Sequence, residues 1–207
     1  MVRQLKLLIV EGNTKEARDH AVSFGMLTQS ANYAKTLKAI RPDLKIDFIF
    51  PTDGELPGHD VDEISAYDGI VFTGSSLHTY DTDADVLCQI ELMKACFSAG
   101  SQIFGSEMQA IAMNIGTAEF WGVQYHPEFD LSYIAGVFRR YAEMMLNEGF
   151  VASPADLEQL IGDYTRLQEV GDTGLAWRYG LGADVLDSCS RTQEIANWLE
   201  KISALDK

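Results

Sequence analysis

Cysteine is scarce in this chain. There are three in 207 residues, Cys88, Cys96 and Cys189. An odd number, so widely spaced, excludes a disulfide framework and has no zinc-ligand spacing. It points to a reducing, cytoplasmic compartment. Positive charge is also short: 16 Lys and Arg stand against 31 Asp and Glu, for a net charge of −15. Such a field repels phosphate backbones and anionic lipid, so neither nucleic acid nor a membrane surface is expected as a partner. Long hydrophobic runs are missing. The apolar stretch Leu7 to Val10 is too short for a secretory signal and far too short to span a bilayer. The sequence has neither GxGxxG nor GxxxxGK followed by Ser or Thr, so no phosphate cradle is expected. It has no repeats and no low-complexity tract.

What is present is a core. Hydrophobic residues make up 46% of the chain, which fits a globular protein. Leu5–Val10 is an apolar run closed by Glu11-Gly12-Asn13, and reads as a buried strand and a loop. A helix is expected over Gln29–Ile40, ended by Pro42. Strands are expected over Lys45–Phe50, Tyr67–Thr73 and Ser101–Gly105, with a helix over Asp85–Ser98 and Gly100 at its end. This alternation implies an α/β fold with an open, mostly parallel sheet flanked by helices. Function in such sheets sits at the carboxyl ends of strands, here Glu11, Gly74 and Gly105. Two further runs, Ala110–Ile115 and Phe120–Tyr125, read as an antiparallel hairpin turning at Gly116. A long amphipathic helix follows over Asp130–Leu146. Residues 149–207 read as a C-terminal helical extension, starting at the Ser153-Pro154-Ala155-Asp156 cap, with Trp177 and Trp198 packing it on a main domain of residues 1–148.

The most informative stretch is Gln124-Tyr125-His126-Pro127-Glu128. His126 precedes a proline, which biases it to extended backbone. Residues two apart in extended chain face one side, so His126 and Glu128 are expected to point together off a strand end. A carboxylate beside an imidazole fixes its tautomer and stabilises the imidazolium, which gives the base and the orienter of a nucleophile–His–acid triad. Asp68–Ser75 is a strand ending in a tight turn at Gly74-Ser75, and backbone N–H groups there can hold an oxyanion.

Gly122-Val123-Gln124-Tyr125-His126-Pro127-Glu128 resembles the signature of class I, triad-type glutamine amidotransferases, and Asp68–Ser75 resembles their oxyanion strand and turn. Ser75 replaces the family's usual second glycine and keeps its N–H. The chain is most similar in organisation to the stand-alone members, the group that includes γ-glutamyl peptidases. The resemblance implies a flavodoxin-like amidotransferase fold, His126 and Glu128 as catalytic residues, and the Gly74 and Ser75 amides as oxyanion hole. It implies a small γ-glutamyl substrate, glutamine or a γ-glutamyl compound, and no metal or organic cofactor. A separate ammonia-accepting synthetase is the partner it would allow.

One part departs from the family, whose nucleophile is a Cys on an elbow of form G-x-C-x-G-x-Q after the strand matching Ser101–Gly105. Here Ser106 is followed by Glu107-Met108-Gln109-Ala110. A carboxylate is not an activated thiolate, and Gln109 does not suit a strained elbow. Neither Glu107 nor Ser106 reads as the nucleophile. A parallel strand also needs a crossover of about a dozen residues to reach its next neighbour. The expectation is therefore that a segment carrying the Cys belongs directly after Ser106. Cys88 and Cys96, on the predicted helix, read as packing residues. Glu11 and His78 read as solvated loop residues near the substrate; His20 and His59 carry no signal. The alternatives are a catalytically inactive binding or regulatory module on the same scaffold, and an unrelated flavodoxin-like binding domain.

Overall fold

The computed structural model describes residues 3–55, 61–77, 82–106 and 111–205. They form two compact units. The first comprises residues 1–19, 28–126 and 194–207; the second comprises 20–27 and 127–193.

The first unit is built on a six-stranded sheet: β1 (Lys6–Val10), β2 (Lys45–Ile49), β3 (Gly69–Phe72), β4 (Gln102–Ser106), β5 (Ile111–Ile115) and β6 (Ala118–Val123). The order is β2-β1-β3-β4-β6-β5, and all neighbours are parallel except the β5–β6 hairpin. This is the open α/β sheet that the alternation implies. Alternate residues of the strands feed two cores. Leu5, Leu7, Ile9, Val71, Phe104 and Val123 face one side. There they meet Tyr33 and Leu37 of α2 (Gln29–Ile40), and Ile195, Trp198, Leu199 and Ile202 of α11 (Gln193–Ser203). Leu8, Val10, Ile70, Phe72, Ile103 and Phe120 face the other side. That side is covered by Ile64 of α3 (Val61–Ser65) and by Leu92 and Cys96 of α4 (Ala84–Ser98). Gly100 takes the left-handed conformation just past α4, with φ 70°, as a helix C-terminus favours.

The second unit is helical: α5 (Leu131–Arg140), α6 (Ala142–Asn147), α7 (Pro154–Val170), α8 (Thr173–Tyr179), α9 (Ala183–Leu186) and α10 (Ser188–Arg191). A short helix α1 (Lys15–Ser23) runs from the first unit into the second. Asp130 caps α5 by accepting from Tyr133 N, and Ser153 caps α7 by accepting from Asp156 N. Leu131, Leu167, Leu175 and Ala176 form one small core of this unit, and Ala135, Leu157 and Ile161 another.

Three expectations need correction. The single helix over Asp130–Leu146 is two helices, broken at Tyr141, whose φ of −104° and ψ of 22° leave the helical region. No proline or glycine marks this break. Trp177 is 88% exposed, whereas Trp198 is fully buried. The strand that follows β4 is also not its parallel neighbour, so the expected crossover is not required at that point. The strand that follows β4 in the chain is the antiparallel β5. Ser106 pairs with Val123 and Ile111 with Gly122, on either side of β6. Two inter-strand spacings are roughly 10 Å, which a short link can span.

Candidate functional site

Strand order reverses direction between β1 and β3, and their carboxyl ends meet at that switch point. Two tight turns abut there, Glu11-Gly12-Asn13 after β1 and Gly74-Ser75-Ser76 after β3. A Cβ at Gly12 would stand 3.0 Å from the Gly74 carbonyl oxygen and 3.0 Å from Ser75 Cβ. Only glycine permits that approach. The Gly12 N–H donates to Thr73 Oγ1 at 2.9 Å, and Ser75 Oγ donates to the Gly12 carbonyl at 2.7 Å. Asn13 Oδ1 accepts from both the N–H and the hydroxyl of Ser76, at 3.0 and 3.2 Å. Gln89 of α4 also donates to the Gly12 carbonyl, at 3.0 Å.

Glu11 anchors this arrangement, and it is not a solvated loop residue: it is 0% exposed. One carboxylate oxygen accepts from Ser30 N at 2.9 Å in the first turn of α2; the other accepts from the backbone and side-chain nitrogens of Asn13, both at 3.2 Å. A buried carboxylate survives where amides and a helix N-terminus answer its charge. Arg18, also buried, donates to the Asn13 carbonyl at 2.8 Å and pairs with Asp53 at 2.5 Å, its guanidinium 4.7 Å from the Phe50 ring centre. We expect Asn13→Ala to lower stability by about 1–3 kcal/mol, because it strips buried partners from both Ser76 and Glu11. Thermal melting reads this directly, and an unchanged Tm would show that the two turns hold without it.

These contacts use the carbonyls, hydroxyls and the Ser76 N–H, and leave the turn's first two amides alone. Among the described residues, nothing accepts from the N–H of Gly74 or of Ser75. His126 lies over the same turn: its Cε1 is 3.2 Å from the point where a Gly74 Cβ would stand. Beside them is a cavity of about 300 Å³, lined by Phe72, Leu77, Val86, Ile90, Met93 and Phe120 among others.

The remaining predicted residues fall as follows. Glu128 is buried, in the second unit. The strand before His126 stops at Val123, and Pro127 and Glu128 form a turn, so period-two alternation does not set their directions. Ser106 ends β4. Glu107 to Ala110, His59 and His78 lie outside the described residues. Cys96 is buried in the sheet core, and burial pushes its thiol up to about 12. Cys88 is half-buried on α4, with its thiol raised by burial and then by Asp85. Cys189 is exposed, on α10. His20 packs edge-on against Phe24, ring centres 5.1 Å apart. Among the described residues no group of three or more His, Cys, Asp or Glu side chains could hold a metal ion, and no helix is long and apolar enough to cross a membrane. Asn13, Gln29 and Gln89 carry no sequence signal; their roles come from partners far along the chain.

No family model matches the chain, and no solved structure matches it. It is similar to a gamma-glutamyl-L-1-hydroxyisopropylamide hydrolase of Pseudomonas sp, with 22% identity over 282 residues, covering 97% of this chain and 94% of the relative. The likeness is distant, and it is to an amide-hydrolysing enzyme. The aligned stretch exceeds the 207 residues of this chain, so the relative has several dozen residues with no counterpart here.

Proposed function

We propose that this protein hydrolyses γ-glutamyl amides of small amines through a glutamyl-thioester intermediate. The observation that carries the reading is the Gly74-Ser75 turn, held by Glu11, Gly12 and Asn13 with two amides unengaged and His126 against it. Attack on an amide moves negative charge onto the carbonyl oxygen. Preorganised N–H groups at that position lower the barrier because they need no reorganisation. His126 takes the proton of the nucleophilic thiol and returns it to the leaving amine. Glu128, two residues along the chain, orients the imidazole. Water then cleaves the thioester, with His126 as base. The distant relative's γ-glutamyl substrate supports the choice of acyl group.

The nucleophile in this reading is a cysteine in a segment that belongs directly after Ser106. The surplus length of the alignment supports such a segment. A second reading, an inactive binding module, has its own support: Cys96 is buried in the sheet core, and Cys88 and Cys189 sit within helices rather than directly after a strand. One experiment separates them. The intact mass of the purified protein is compared with 23.0 kDa, and the same sample is assayed for amine release from γ-glutamyl amides before and after thiol alkylation. A larger mass with alkylation-sensitive release supports the hydrolase. A mass of 23.0 kDa without release leaves the binding module.

A further inference from the structure

We propose that Gln29 recognises the α-ammonium group of the γ-glutamyl substrate, an assignment that rests on the hydrolase reading. Gln29 is the first residue of α2, directly after its cap Thr28. Its carboxamide reaches the Gly74 turn: Oε1 is 3.2 Å and Nε2 3.7 Å from the point where a Gly74 Cβ would stand. His126 Cε1 is 3.2 Å from that same point. Gln29 and His126 thus share the bare α-carbon of Gly74, next to the two unengaged amides.

The Gln29 Oε1 atom is sealed from solvent and accepts no hydrogen bond from the described residues. A buried acceptor without a donor is a standing cost, and native proteins rarely carry one without a reason. No described group of the chain supplies that donor. A γ-glutamyl substrate does. With its γ-carbonyl oxygen on the Gly74 and Ser75 amides, its α-carbon is three bonds from the reacting carbon, and the ammonium on it has three N–H donors. The local field suits a cation. The fully buried Glu11 carboxylate receives the N–H of Ser30, the next residue in the chain. The positive end of α2 is thereby already answered, so it adds little repulsion to a cation beside Gln29.

The test compares two chromogenic substrates that differ only in the ammonium group, γ-glutamyl-p-nitroanilide and glutaryl-p-nitroanilide. We expect the wild-type protein to favour the γ-glutamyl compound in kcat/KM by about 10- to 100-fold, the range for a hydrogen bond to a charged group. Gln29→Met keeps the shape and removes the acceptor, and should collapse that ratio towards unity. Gln29→Glu keeps an acceptor and adds charge, and should retain or raise it. A ratio unchanged in Gln29→Met, or lost in a folded Gln29→Glu, overturns the assignment while leaving the hydrolase reading intact. No turnover of either substrate by the wild-type protein overturns both.

Discussion

His126→Ala is expected to lower kcat for γ-glutamyl amide hydrolysis by about 10³-fold, within the range that a lost general base produces. The thiol must shed a proton to attack, and the departing amine must gain one. A single imidazole beside the oxyanion turn serves both transfers, and alanine serves neither. Stability should move little, because the ring is only half-buried and Gly74 beneath it has no side chain to lose contact with. Thermal melting checks this control. Free imidazole in the assay should restore part of the rate, since the cavity left by the ring stays next to Gly74. A kcat within tenfold of wild type would remove His126 from the chemistry, and with it the triad reading. Glu128→Gln is milder in kind: the imidazole stays and loses only its orienting charge.

Much of the first unit was legible in the sequence because its strands are apolar runs closed by turn residues. Leu5–Val10 and Tyr67–Thr73 become β1 and β3 with their ends trimmed by one or two residues. The hairpin was legible from Gly116, which takes φ 63° at its turn. Helix α1 left no trace because it has no apolar stripe: of its nine residues only Arg18 and Ala21 are buried. The candidate site was half legible. His126 and Gly74 stand out by their local chemistry, a His before Pro and a Gly at a strand end. Glu11 does not, since a carboxylate after a strand reads as solvated until Ser30, 19 residues on, is seen to answer it. The same holds for Gln29, whose significance depends on the Gly74 turn far along the chain. Local pattern marks which residues can do chemistry. Which of them are held in place depends on pairings that only the fold creates.

Trp198→Ala is expected to cost about 3–5 kcal/mol, the range for removing a large buried aromatic. That is a large part of the 5–15 kcal/mol by which a typical domain is stable. The C-terminal helix α11 is no appendage in its own unit. Trp198 is fully buried, its ring centre 5.6 Å from that of Phe104 in β4. The ring lies on Gly69, where a Cβ would stand 2.7 Å from two of its carbons. Glycine at that position in β3 is therefore a packing requirement, and Gly69→Ala should destabilise by overpacking, about 1–3 kcal/mol. Polar contacts fix the helix at both ends: Glu194 accepts from the Tyr125 hydroxyl next to His126, and Ser203 meets Arg41 at 2.5 Å. The indole N–H itself has no hydrogen-bond partner among the described residues. Trp198→Phe should thus cost clearly less than Trp198→Ala, because it keeps much of the ring contact and removes an unsatisfied donor. Equilibrium denaturation of the two variants gives the comparison. If Trp198→Ala melted like the wild type, α11 would be dispensable, and the core drawn around Phe104 and Gly69 would be wrong. If Trp198→Phe were the worse of the two, shape would outweigh burial at this position.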